Sequence, residues 1–201
     1  MSAPAKMTGR SRPSSESVFP RLIDAGIAIV RQGDPAELTI ERVCQVANVS
    51  RATFYRRWNT ITPILEGIVT KLLIEANPQI EYAGDLRTDM LRCAHGIAGL
   101  LSDPAIAALF RHLFAASTTN EDLRHAAQAL DRRRNAPLIA LLSEAQRTGR
   151  VTSRCRPDYI AYQVFGPIWH RTLLLQFPPT DDFIEAVVDT VLASILPVDP
   201  A

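Results

Sequence analysis

The chain has 201 residues, 47% of them hydrophobic and 21% charged, with a net charge of +1, the balance of an ordinary soluble protein able to bury a substantial core. No apolar run approaches the roughly 20 residues needed to span a bilayer, and the start MSAPAKMTGRSRPSSES has no apolar segment behind its basic residues, so neither a membrane span nor a secretory signal is expected. Cys44, Cys93 and Cys155 sit in no metal or redox spacing and read as reduced thiols; with no HExxH, GxSxG or glycine-rich phosphate loop, the chain is expected to be no enzyme and to need no metal or cofactor.

Charge is unevenly spread. Residues 1–60 carry nine Lys/Arg against five acids, and the remainder thirteen against sixteen. A basic head on a mildly acidic body fits a small nucleic-acid-binding domain joined to a different second domain. Residues 1–13 are Ser, Pro, Ala and basic, and read as a disordered arm. Lys6, Arg10 and Arg12 suit a DNA-following arm or a solvated tail equally. From Ser14 or Ser15 a first helix is expected to about Gln32, with Val18, Leu22, Ala25, Ile29 and Val30 as its inward stripe. Pro20 belongs in a first turn, which favours a start later than Ser17, and Gly33-Asp34-Pro35 ends the helix.

The stretch Leu38 to Leu65 is the most informative. Thr39 caps a short helix whose apolar face is Ile40, Val43, Val46 and Ala47. Asn48 tolerates the left-handed conformation of a sharp exit, and Ser50 caps a second helix, Arg51 to Trp58. Phe54 and Trp58, four apart, pack inward, while Arg51, Thr53, Tyr55, Arg56 and Arg57 face outward or flank. A short helix, a tight turn and an arginine-bearing second helix are the parts of a helix-turn-helix. A hairpin buried in a core would not carry three arginines and a tyrosine on so short a helix.

Thr39, Ala47-Asn48-Val49-Ser50 and Thr53-Phe54-Tyr55-Arg56-Arg57-Trp58 together resemble the DNA-binding region of the TetR family of bacterial transcriptional repressors. The resemblance implies that the first helix braces the helix-turn-helix. It also implies that the following helix carries movement from body to head. One departure stands out: relatives commonly have a lysine at the start of that helix, near a DNA phosphate, where this chain has Ile61.

That linking helix is expected from Thr60 or Thr62, with Pro63 in its first turn, through Leu65, Ile68, Val69 and Leu72 to about Ala76, stopped by Asn77-Pro78. A helix from Asp85 to Leu101 follows, then one opened by Asp103-Pro104. A longer helix opens at Thr118 or Asn120, is interrupted or bent near Pro137, and ends at Thr148-Gly149. Its Arg132-Arg133-Arg134 run reads as a solvated face with local acidic partners. Pro157 begins a helix apolar on nearly every side, kinked at Gly166-Pro167. Pro178-Pro179 ends it, and Thr180-Asp181-Asp182 caps the last helix, with Phe183, Val187, Val188, Val191, Leu192 and Ile195.

The expected fold is all-α, about nine helices: a three-helix helix-turn-helix DNA-binding domain over 14–60, a linking helix over 61–78, and a helical ligand-binding and dimerisation domain over 79–201. The broad apolar faces of the last two helices suggest a four-helix bundle with a second copy, through Ile168, Thr172, Leu175, Val187, Val188, Val191 and Leu192. GPIWHRTLL and the helix after it look similar to the homodimer interface of TetR-type proteins; internal core is the other reading. A two-fold pair reads two half-sites of a palindrome in double-stranded DNA. Arg51 is placed to reach a base edge, Thr53 and Arg56 to share base and phosphate contacts, and Thr39, Tyr55 and Arg57 to touch phosphates beside the Ser50 cap. Glu41, on the exposed side of the first of the two helices, orients an arginine or disfavours some sequences. Met90, His95, Phe110, His112, Phe114, Tyr162, Phe165 and Trp169 are candidates for an apolar pocket, though each also reads as core. The resemblance implies a cytoplasmic repressor released by a small-molecule inducer, no membrane partner being expected. A ligand-independent DNA-binding or architectural protein is the alternative.

Overall fold

The computed structural model describes residues 18–32, 35–76, 84–152, 154 and 156–197. The basic arm over residues 1–13, the Gly33-Asp34 stop, the Asn77-Pro78 stop and Cys155 lie outside the described residues. Among the described residues the regular structure is helical throughout, in nine α-helices: α1 (Val18–Arg31), α2 (Ile40–Val46), α3 (Arg51–Tyr55), α4 (Thr62–Ala76), α5 (Leu86–Leu101), α6 (Pro104–Ser117), α7 (Glu121–Arg147), α8 (Pro157–Trp169) and α9 (Asp181–Ile195). The helices start where the sequence supplies caps. The side chains of Thr39, Ser50, Asp85, Asp103 and Asn120 each accept a backbone N–H of the turn they open, which satisfies donors with no partner inside the helix. Thr180 precedes α9 without such a bond; Asp181 and Asp182 in the first turn complement the helix dipole instead.

α1 runs beneath the helix-turn-helix with Val18, Leu22, Ala25, Ile29 and Val30 all buried. Pro20 lies in its first turn, where no intrahelical donor is lost. α1 and α4 approach closely through two glycines. A Cβ on Gly26 would stand 2.3 Å from Ile68 Cδ1, and one on Gly67 would stand 2.5 Å from Ile23 Cδ1. The same contact that seats the head on α4 therefore depends on missing side chains.

Above α4 the body is layered from α5 to α9. α7 is continuous through Pro137 rather than interrupted. Packing against α4, α5, α6 and α8 holds the helix together despite the missing proline N–H. α8 likewise continues through Gly166-Pro167 and changes character later, at a π-helical turn over His170–Leu174. α9 is tied to α5 by Arg87, whose Nε and Nη2 donate to Asp189 at 2.6 and 2.9 Å and whose Nη2 also reaches Glu185 at 3.2 Å.

Tertiary packing corrects several local expectations. Val46, expected on the inward face of α2, is 40% exposed, because the short helix reaches α1 and α3 only through Val43 and its neighbours. The second helix of the pair closes at Tyr55 rather than Trp58, and Trp58 follows in a turn against Phe19 and Phe54 at 5.5 and 5.4 Å. Of the residues expected to face a second copy, Ile168, Thr172, Val188 and Val191 are buried within this one chain. A side chain with its surface already covered has little to offer another molecule. Val187 and Leu192 are half-buried and Leu175 is exposed.

Candidate functional site

The head is organised by Phe54. It is fully buried, and a five-residue helix with one buried aromatic must turn its remaining side chains outward. Arg51, Tyr55, Arg56 and Arg57 are exposed, and Thr53 is half-buried with its hydroxyl 2.8 Å from Ser50 Oγ. Ser50 Oγ accepts the Thr53 N–H at 3.1 Å, and Thr39 Oγ1 accepts the Arg42 N–H at 3.2 Å. Both predicted phosphate-side hydroxyls thus hold the two helix starts in place. Asn48 carries the turn with φ of 51°, the left-handed conformation that Asn tolerates better than branched residues.

Two features complete this face. Arg21 reaches from α1 to the turn, where its Nη2 donates to the carbonyls of Ala47 and Asn48. It also lines an open groove of about 430 Å³ with Ser50, Thr53, Arg56 and Arg57. Nothing local to Arg21 signals this role, because its partners are more than twenty residues away. Glu41 stands 3.2 Å from the Arg51 guanidinium, so the expected orienting acid meets its arginine. Ile61 packs half-buried against the core. The surface that results is cationic and hydroxyl-bearing on a short capped scaffold, chemistry suited to phosphate and base-edge contacts.

A second site lies in the body. Leu73 of α4, Phe110 and Phe114 of α6, Ala127, Leu130, Asp131 and Arg134 of α7, and Trp169 of α8 enclose a cavity of about 20 Å³, room for a single water-sized sphere. Phe110 and Phe114 meet Trp169 edge-on, at 4.9 and 5.4 Å. Of the eight candidate pocket residues, these three line the cavity. Tyr162 stands beside it, its hydroxyl donating to Asp131 at 3.1 Å. Phe165 is buried under the Arg134 guanidinium at 5.7 Å. The others are elsewhere: Met90 is buried core, His112 is exposed, and His95 faces Asp181 at 3.6 Å.

The basic run is a solvated face at two of its three positions, and its third arginine, Arg134, departs from that reading by being enclosed, though its acidic partner Asp131 is local as expected. Arg132 and Arg133 are exposed, but the Arg134 side chain is only 10% exposed, with its guanidinium 4.6 Å from the Trp169 ring centre. Burial pushes its pKa below the usual arginine range, opposed by Asp131 with which it pairs. The signal was present in the spacing: Leu130, Arg134 and Leu138 recur every four residues, so Arg134 occupies a position of the apolar stripe. Next to it, Arg133 Nη1 donates to Thr70 Oγ1 of α4 at 2.7 Å. Among the described residues no cluster of three or more metal-binding side chains is present.

Comparison with known proteins places this architecture. Residues 80–191 match the family described as "Tetracyclin repressor-like, C-terminal domain". Uncharacterised HTH-type transcriptional regulators of Mycobacterium tuberculosis and Mycobacterium bovis are 28% identical over 190 residues, which covers 90% of this chain and 91% of theirs. The crystal structure of the TetR family transcription regulator SCO0332 is similar with a TM-score of 0.75 at 25% identity, over 90% of this chain and 99% of that one. The flavonoid-responsive regulator FrrA shares the fold with a TM-score of 0.65 at 15% identity, over 91% and 99% of the two chains. With its family match covering more than half its length, its helix-turn-helix head and its all-helical body, the chain belongs to the TetR family of transcriptional regulators.

Proposed function

We propose that the protein is a cytoplasmic repressor that binds palindromic operator DNA as a homodimer and lets go when a small, largely apolar molecule enters the body. The observation that carries this reading is the double duty of α4. Leu73 forms a wall of the aromatic cavity, while Gly67 and Ile68 of the same helix pack on α1 beneath the head. An occupant that widens the cavity pushes the helix on which the head sits. Differential affinity for the two arrangements is all that coupling requires.

In this reading the working parts are a head over 14–60, a linking helix over 61–78 and a regulatory body over 79–201. Arg51 reads a base edge, Thr53 and Arg56 share base and phosphate contacts, and Thr39, Ser50, Tyr55 and Arg57 hold the backbone. The exposed apolar side chains Leu174, Leu175 and Phe177, in and just beyond the turn that follows α8, and Leu196 after α9, support pairing of the C-terminal helices with a second copy, since burying exposed apolar surface is a driving force for association. One structural neighbour, FrrA, is a flavonoid-responsive regulator, which accords with control by an apolar small molecule. The small volume of the cavity favours a second reading, a regulator that binds DNA without ligand control.

A titration of fluorescent duplexes from the DNA upstream of the gene, with and without apolar compounds, separates the two. Ligand control predicts affinity lowered by tenfold or more by at least one compound that also raises the melting temperature. Unchanged DNA affinity in the presence of compounds that demonstrably bind the body would leave only the ligand-independent reading.

A further inference from the structure

The class of molecule that enters the body can be argued from the polar atoms around the cavity, an argument that rests on the ligand-controlled reading above. The walls are apolar and largely aromatic: Leu73, Phe110, Phe114, Leu130 and Trp169. The polar side is Arg134 with Asp131. Arg134 Nε donates to Asn135 Oδ1 at 3.2 Å and Nη2 donates to Asp131 Oδ1, while Nη1 has no acceptor among the described residues. Asp131 accepts three hydrogen bonds: besides that from Arg134, one from Asn135 Nδ2 and one from the Tyr162 hydroxyl, each at 3.1 Å. Trp169 is 9% exposed, and its indole Nε1 is buried with no hydrogen-bond partner.

The site therefore has a neutralised ion pair, one buried donor without an acceptor in the Trp169 indole, and a further N–H group on Arg134 that bonds no described residue. An incoming carboxylate would add a second negative charge to one buried cation, and an unbalanced buried charge is strongly disfavoured. An uncharged oxygen with lone pairs satisfies the donors and leaves the charge balance intact. Flat rings match the edge-on aromatic walls. We infer that the cavity takes a neutral, ring-bearing apolar molecule that presents a carbonyl-type oxygen to Arg134 and the Trp169 indole N–H, and that it discriminates against the corresponding acid. Phe114 is 38% exposed where Phe110 is buried, so the entry route this inference requires runs past Phe114, whose ring has to swing outward to enlarge a cavity of about 20 Å³.

Calorimetric titration of the full chain with acetophenone, benzoate and isopropylbenzene tests this, because the three match in shape and differ in charge and acceptor. The ketone is expected to bind at least tenfold tighter than the acid and the hydrocarbon. Arg134→Met should bring the ketone down to the hydrocarbon's affinity. Arg134→Lys, which keeps the charge without the planar fork, should retain part of the preference and guards against a folding defect in the methionine variant. Trp169→Phe should reduce the preference with the ring retained. Tighter binding of benzoate would overturn the neutral class while leaving ligand control standing. Equal binding of all three would remove the donors from recognition. No binding by any of them in the millimolar range would overturn the inference and, with it, the cavity as the seat of control.

Discussion

The Glu41 carboxylate on α2 lies 3.2 Å from the Arg51 guanidinium at the start of α3. Both side chains are more than half exposed, so the pair adds little stability and acts mainly to orient the arginine. If Arg51 reads a base edge, Arg51→Ala costs about 1–3 kcal/mol of discrimination between the operator and a single-base variant. Glu41→Gln removes a negative charge from beside Arg51 and frees its guanidinium. Binding to non-operator duplex should then tighten, while the ratio of specific to non-specific affinity falls. Anisotropy titrations at two salt concentrations give both quantities. A uniform loss over all duplexes in Arg51→Ala would make it a phosphate contact instead.

Arg21 holds the turn between α2 and α3 from outside, through the carbonyls of Ala47 and Asn48. Arg21→Met keeps the apolar stem and deletes both donors. Thermal or urea denaturation should show a loss of about 1–3 kcal/mol, the usual cost of leaving a part-buried acceptor, here the Ala47 carbonyl, without its partner. DNA affinity should fall with it, even for duplexes that lack an operator.

The α1–α4 contact predicts a compensated double mutant. Gly26→Ala places a methyl against Ile68 Cδ1, and overpacking of this kind costs about 1–3 kcal/mol. Ile68→Val removes that same carbon and by itself costs about 0.5–1.5 kcal/mol. Together they should destabilise by less than the sum of the two, with a coupling of at least about 0.5 kcal/mol in a urea-denaturation cycle. Strict additivity would mean that Ile68 moves aside freely.

The tie between α5 and α9 is sensitive to acid. Bonds from Arg87 hold the Asp189 carboxyl below its ordinary value of 3.8. A carboxyl depressed in the folded state stabilises it above the unfolded value and loses that contribution as pH falls through the folded value. The native chain should therefore lose melting temperature from about pH 5 to about pH 3 more steeply than Arg87→Met, in which Asp189 and Glu185 have already lost their cation. Parallel curves for the two proteins would show that the exposed pair contributes nothing measurable.

Much of the architecture is written locally. Thr39, Ser50, Asp85, Asp103 and Asn120 cap the helices that the sequence places after them, because a cap bonds a donor only two or three residues away. The arginine-bearing face of α3 follows from Phe54: once one aromatic of a short helix points inward, the arginines around it point out. Expectations failed where a distant surface decides. Val46 lies open on the surface, and α7 runs without interruption through Pro137, with buried residues both before it (Ala126, Leu130) and after it (Leu138, Leu141). Arg21 finds its partners across the fold.

The sequence by itself therefore determined the helical register, the capped helix-turn-helix and the arginines it presents. Only the tertiary structure decided that Ile168, Val188 and Val191 belong to the chain's own core and that Arg134 is enclosed with Asp131 against Trp169. The reason is physical: caps and periodicity act over one turn of backbone, whereas burial of a side chain depends on which other surface meets it.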